Sequence, residues 1–274
     1  MIGLSIAKFY SALGYSVVVL EKESRAGEGI SSRNSGVIHG GMYYPANSLK
    51  TKFCIEGNKM LYKYAKLKNI SHQKLGKYII ASQDSDLGKL DKIYEQGISN
   101  GAIIKRCSKD EMQAEYPDLI LTGGIYSSET GIIDVPELIS ALEGDIQRNS
   151  GTVAFNTSFK SATKADNLFE IVCDDGNEFV VQAKNLVNAA GLTSDISSKN
   201  IKQLDKKYNH PIYFAKGHYF KYSGSHPFHS LVYPLSDEFS LGIHVGFDIS
   251  GQLRFGPDLT WVQSLDFSFD ESLK

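Results

Sequence analysis

The first 23 residues, MIGLSIAKFYSALGYSVVVLEKE, set out an order of elements that few folds accommodate. Gly3 opens a helical pattern with Ile6, Phe9, Tyr10 and Leu13 on or near one face. Gly14 stops that helix, Val17-Val18-Val19-Leu20 reads as a strand, and the strand ends on Glu21. This is the second half of a dinucleotide-binding βαβ unit, in which the terminal acidic side chain accepts hydrogen bonds from the adenosine ribose. Gly3 takes the place of the third glycine of G-x-G-x-x-G, 18 residues before Glu21, near the roughly 20-residue spacing of that fingerprint. The first strand and the first two glycines are missing, so the chain is expected to be a fragment. The same helix, glycine and strand would also suit an ordinary α/β unit, and later segments have to decide.

Composition narrows the classes. Hydrophobic residues make up 42% and charged residues 22%, as in soluble globular proteins. A formal net charge of -2 gives no electrostatic case for nucleic acid. Cys54, Cys107 and Cys173 are scattered and odd in number, without metal or disulfide spacing, which points to a reducing compartment. No apolar run of about 18 residues is present, so no spanning helix is expected within this sequence. The expected location is cytoplasmic, with peripheral attachment to the inner membrane left open.

The element pattern is mixed. Helical spacing recurs over 48–68 and 85–100. Ser108 with Glu111 forms a capping-box pattern, and Asp134-Val135-Pro136 starts another helix. Strands are expected at 16–21, 78–81, from Gly123, and at 152–155, 168–173 and 178–182. A buried strand is expected over Asn185–Gly191, running into small residues that suit close backbone approach to a ligand. From 211 to 256 the chain is strand-rich and aromatic, with segments 212–214, 218–222, 231–233, 241–245 and 253–255. The predicted fold is α/β, or α+β overall. A Rossmann-like nucleotide domain occupies 1–80 and 130–200, and a mainly antiparallel substrate domain occupies 81–129 and 201–274.

The densest chemistry lies in SSRNSGVIHGGMYY, residues 31–44, where hydroxyls, an arginine, three glycines and His39 follow directly after the Glu21 strand. Together with GKYIIA, ETGIIDVPELISAL, LVNAAGL, KGHYFKYSG and LVYPL…LGIHVGFDISGQLRFGPD, in this order, the chain resembles the FAD-dependent oxidoreductases of the D-amino-acid oxidase superfamily. Within it, the nearest resemblance is to the L-2-hydroxyglutarate dehydrogenase/oxidase group. It covers nearly the whole chain, and RNSGVIHGGMYY and GIHVGFDISGQLRFGP are its most specific blocks.

The resemblance implies FAD as cofactor, with Gly3 and Glu21 at the adenosine. Ser32, Arg33, Asn34 and Ser35 would run beside the pyrophosphate, with Gly40 and Gly41 in the same loop. Phe159 would pass the adenine, where an aliphatic residue is more usual, and Ala189, Ala190 and Gly191 would approach the ADP moiety. It also implies oxidation of a 2-hydroxy acid, with hydride passing to flavin N5 and the hydroxyl proton to a base. Histidine suits that base at neutral pH. His39 is the flavin-proximal candidate and His244 or His218 the base. Arg254 is the first candidate for a substrate carboxylate, because a guanidinium grips it through two parallel bonds; Tyr233 and Lys216 come next.

Oxygen, a quinone or an electron-transfer protein would serve as electron acceptor, and membrane association is a family possibility. An amino-acid or amine oxidase of the same superfamily is the neighbouring alternative, and an inactive truncated product another. With both ends of the cofactor domain incomplete, weak or absent FAD binding is expected; a stoichiometric yellow protein on purification would overturn that expectation.

Overall fold

The computed structural model describes residues 1–235, 242–269 and 271–273. The chain divides into two compact units, one of Met1–Asn34 with Val135–Phe214 and one of Ser35–Asp134 with Ala215–Lys274. Residues 35–80, expected with the nucleotide-binding part, lie in the second unit.

In the first unit, helix Ile2–Ala12 leads into strand Val18–Leu20, which pairs in parallel with Thr152–Ala154. Helix Val135–Arg148 buries Leu138, Ile139, Leu142 and Ile146, the spacing of one helical face. An antiparallel meander follows over Ser158–Ala165, Leu168–Asp174 and Glu178–Ala183, with Ala162, Ile171 and Cys173 as its core.

Asn185–Gly191 departs from expectation. It carries no strand pairing among the described residues, and Asn188, Ala189, Ala190 and Gly191 are exposed. A strand needs a neighbour for its main-chain groups. Here the Asn188 side chain folds back instead, donating to the Ser194 carbonyl at 2.7 Å and accepting from Ala190 N–H at 3.2 Å. Exposed main chain results.

The second unit is built on a seven-stranded mixed sheet in the order Phe220–Lys221, Leu253–Gly256, His244–Phe247, Leu231–Pro234, Lys77–Ala81, Gly123–Ser127, Ile104–Ser108. Lys77–Ala81 is buried along its whole length and pairs in parallel with Leu231–Pro234. The strand expected from residue 241 is described from His244 onward; Leu241 itself lies outside the described residues. Helices Leu49–Lys68, Leu87–Ser99 and Lys109–Glu115 complete the unit. Ser48 caps the first of these by accepting from Thr51 N–H, and Ser108 with Glu111 forms the expected capping box. No helix among the described residues is long and apolar enough to cross a membrane.

A second, three-stranded sheet joins Val37–Ile38 and His72–Gln73 to opposite edges of Gly131–Ile133. Gly131 is essential to that contact, because a Cβ there would stand 2.2 Å from the Gln73 carbonyl oxygen and 2.3 Å from the Tyr62 hydroxyl. A carbonyl in a paired strand cannot rotate away. Gly131→Ala should therefore cost about 1–3 kcal/mol, read as a lowered denaturant midpoint; an unchanged midpoint would show that the sheet yields.

Candidate functional site

Sheet register brings the reactive side chains of the second unit together. Lys77 pairs with Leu231, so Leu231 and Tyr233, two residues apart, share its face. Extending the Val232–Val245 pair by one residue sets Tyr233 opposite His244. Gly246, on the face of His244, pairs with Arg254. Parity thus places Lys77, Tyr233, His244 and Arg254 on one face of four successive strands.

Their contacts are continuous. Lys77 Nζ lies 4.5 Å from the Tyr43 ring centroid and 4.7 Å from that of Tyr233. The Tyr233 and His244 rings stack with centroids 3.7 Å apart. Tyr219 meets His244 edge-on at 5.9 Å and lies under the Arg254 guanidinium at 5.2 Å. His39, which follows strand Val37–Ile38, lies within electrostatic range of Lys77, Lys50 and His244. Its carbonyl is held by Asn58 Nδ2 at 3.0 Å, while its Nδ1 is buried without a partner.

The electrostatics of this cluster are one-sided. Burial lowers His39 to about 4, and the charges of Lys77, Lys50 and His244 push the same way. Burial likewise lowers His244 to about 4, against a hydrogen bond to the Gly242 carbonyl that favours its charge, and Lys77 and Arg254 add repulsion. Lys77 is lowered to about 7 by burial, against an opposing pull from the Cys54 thiol. Burial raises Tyr43, Tyr233 and Cys54. Among the described residues, no carboxylate forms an ion pair with Lys77 or Arg254, although Asp248 lies within electrostatic range of Arg254.

Arg254 is partly engaged. Its Nη2 donates to the Ser35 carbonyl at 2.7 Å and the Phe247 carbonyl at 3.0 Å, and its buried Nε has no partner. Two carbonyls take both Nη2 hydrogens, so a two-bond grip on a carboxylate would have to displace one. Arg254 as placed offers its charge and Nε.

Other candidates fall elsewhere. Lys216 pairs with Asp266 and donates to the Ser268 carbonyl at 2.9 Å, so its charge is already compensated. His218, adjacent in sequence to Tyr219, has different neighbours: its Nδ1 lies 3.0 Å from Asp258 Oδ1 and its ring meets Phe269 edge-on at 5.2 Å. Its Nε2 is buried without a partner. Gly40 and Gly41 serve packing, since a Cβ on the first would stand 2.6 Å from Ser127 Oγ and on the second 2.5 Å from Ile55 Cδ1. Lys77, Tyr43 and Tyr219 were not singled out by the sequence reading; a lysine opening an otherwise apolar strand was the available signal.

The first unit carries the nucleotide-type residues. Glu21 ends a parallel strand, half-buried, with Oε1 accepting from Glu23 N–H at 3.1 Å. Gly3 lets the start of its helix approach Ala189, where a Cβ would come within 3.3 Å. Gly191, at φ +58, and the exposed Ala189 and Ala190 present main chain rather than bulk. A carboxylate at a strand end beside a helix N-terminus and open backbone fits the adenosine end of a dinucleotide. Ser32 and Arg33 tie the following loop to the Gly29 carbonyl at 3.0 Å each, and Asn34 donates to Ser31 O at 2.6 Å. Phe159 packs against the meander core.

Residues 1–272 match the family of FAD dependent oxidoreductases. The chain is 33% identical to the mitochondrial L-2-hydroxyglutarate dehydrogenase of Arabidopsis thaliana, over 97% of this chain and 62% of that protein. It is 27% identical to the L-2-hydroxyglutarate dehydrogenase of Escherichia coli K12, over 94% of this chain and 62% of that protein. It therefore spans about 62% of the length of these curated relatives. Among solved structures, the L-alpha-glycerophosphate oxidase of Mycoplasma pneumoniae with FAD bound is similar at a TM-score of 0.82 and 22% identity, over 94% of this chain and 69% of that one. Glycine oxidase from Geobacillus kaustophilus is similar at 0.79 and 17%, over 99% and 70%. At these identities the likeness is one of fold. With a match along nearly its whole length, the chain belongs to the FAD dependent oxidoreductase family, and FAD is the cofactor against which its residues are read.

Proposed function

We propose that the protein oxidises a 2-hydroxy acid, L-2-hydroxyglutarate to 2-oxoglutarate. The observation that carries this reading is buried Lys77 and half-buried Arg254 on one sheet face beside His244, with no carboxylate ion-paired to either among the described residues. Buried cations are ordinarily paired, and an anionic substrate would supply the missing charge. The names of the curated relatives favour the same substrate.

Bound FAD would take the hydride that leaves the substrate Cα. The chain's own residues would do the rest. His244, its Nδ1 within 3.1 Å of the Gly242 carbonyl, keeps Nε2 as the acceptor in the neutral tautomer and takes the hydroxyl proton. Arg254 contributes charge and Nε toward a carboxylate, Tyr233 holds the His244 ring by stacking, and His39 offers an unpartnered Nδ1. Gly3, Glu21 and Ala189–Gly191 would hold the adenosine end. Oxygen, a quinone or an electron-transfer protein would then remove the electrons. A cytoplasmic location belongs to the same proposal.

The amino-acid oxidase reading draws on the fold shared with glycine oxidase. Mixing the FAD-loaded protein anaerobically with L-2-hydroxyglutarate, and separately with glycine and sarcosine, separates the two. Bleaching of the flavin by the hydroxy acid alone is expected; bleaching by an amine alone would replace this proposal.

A further inference from the structure

Lys77 is the most deeply buried charge-bearing side chain of the site, 1% exposed. It opens a strand whose other residues, Tyr78 to Ala81, are apolar or aromatic and equally buried. Its ammonium sits between two tyrosine rings and contacts both faces of this box at under 5 Å, the range of cation–π attraction. That attraction offsets only part of the cost of burying a charge. The groups around it are His39, Tyr43, Lys50, Cys54, Tyr233, His244 and Arg254, and none of them is an acid of the carboxylate kind.

Two further atoms of the same cluster, His39 Nδ1 and Arg254 Nε, are buried without partners. Two unsatisfied polar atoms and a buried ammonium around one aromatic ladder mark a place for an anion with several acceptor oxygens. Arg254 cannot grip it bidentately without losing Ser35 or Phe247. Among the described residues, Lys77 is engaged only by the two tyrosine rings.

We propose that Lys77 is the counter-charge for one carboxylate of the substrate, and that its tyrosine box makes the site select dicarboxylates over monocarboxylates. This rests on the hydroxy-acid reading above for the identity of the substrate, but not for the charge it must carry. Tyr233 touches both Lys77 and His244. A carboxylate on Lys77 therefore lies one ring away from the imidazole that receives the hydroxyl proton, and the carbon chain between them sets the substrate length.

The test uses the FAD-loaded protein with two unreactive five-carbon probes, glutarate and pentanoate, titrated by calorimetry. Wild type should bind glutarate well above pentanoate. Lys77→Met should weaken glutarate by about 100-fold, the scale of removing one partner from a buried charge pair, and leave pentanoate undiminished. Lys77→Arg, which keeps the charge, should retain a preference for glutarate. Equal losses for both probes, an unchanged glutarate affinity in Lys77→Met, or no preference in wild type would each overturn the proposal. Lys77-dependent glutarate binding by a protein that L-2-hydroxyglutarate does not reduce would retire the substrate named above while supporting the dicarboxylate site. Reduction by L-2-hydroxyglutarate with indifferent Lys77 variants would do the reverse.

Discussion

In carboxylate-free buffer at about pH 6, Lys77→Met should melt about 5–10 °C above the wild-type protein. In the unfolded chain the ammonium titrates at its ordinary 10.5, and in the fold burial lowers it to about 7. Below about pH 7 both states carry the charge, and the fold bears the whole penalty. Between about 7 and 10.5 the fold releases the proton while the unfolded chain keeps it, so wild-type stability rises with pH. Above 10.5 both states are neutral. The advantage of methionine is therefore greatest below pH 7 and fades by about 10.5.

The displacement corresponds to about 5 kcal/mol against the charged form. Imperfect packing of the thioether takes back about 1–2 kcal/mol, which leaves about 3 kcal/mol. Glutarate at a concentration between the two dissociation constants should stabilise the wild type well above the variant, because only the wild type binds it through this charge. Melting curves at about pH 6 and pH 9 check the expectation. A variant that melts lower at pH 6, or a gain that does not shrink with rising pH, would mean that Lys77 already has a counter-charge in the resting protein. A residue that lowers stability where an apolar one would raise it is retained for what it does.

What was legible in the sequence was local. The 48–68 periodicity predicts helix Leu49–Lys68, and Ser108 with Glu111 predicts the cap of Lys109–Glu115, because both signals lie within a few residues of the structure they specify. Strands of two or three residues such as Val37–Ile38, His72–Gln73 and Gly131–Ile133 carry no period of their own. Their pairing spans stretches that no local pattern connects. The site divides the same way. Tyr233, His244 and Arg254 were each marked by their own segment, but their common face follows from register across three strands.

Neighbours in sequence misled where the chain leaves a strand and each side chain finds a different partner. Lys216 and His218 looked like one motif with the rest of KGHY, yet Lys216 turns to Asp266 and His218 to Asp258, while Tyr219 joins His244 and Arg254. Lys77 was passed over as the residue before an apolar strand. Its burial comes from Tyr43 and Tyr233, one 34 residues upstream and the other 156 downstream. The apolar run before Gly191 looked like a buried strand because periodicity reports what could be covered, not what covers it.

His244→Asn should lower kcat by about 10²–10⁴-fold, the usual contribution of a positioned base, with the same substitution at His218 as its comparison. His244 shares the cluster with Lys77 and Arg254, whereas His218 has its own carboxylate in Asp258. If the larger loss falls on His218, the base is the Asp258-oriented imidazole. The pH profile of kcat/KM carries a second signature, because it reports groups of the free enzyme. A base must be unprotonated, and burial sets His244 at about 4, so activity should fall on the acid side only below that value. The substrate's own carboxyls titrate in the same range, which is why the variants rather than this limb assign the base. The alkaline limb is cleaner. Lys77 must be charged to hold a carboxylate, and kcat/KM should fall about tenfold per pH unit above about 7. Within the cluster, burial moves Tyr43, Tyr233 and Cys54 upward and His39 and His244 downward, which leaves Lys77 as its displaced group that titrates there. Lys77→Arg should carry the limb to higher pH, and Lys77→Met should abolish it at a lower plateau. A limb near 7 that survives both substitutions would belong to another group and would take the carboxylate from Lys77.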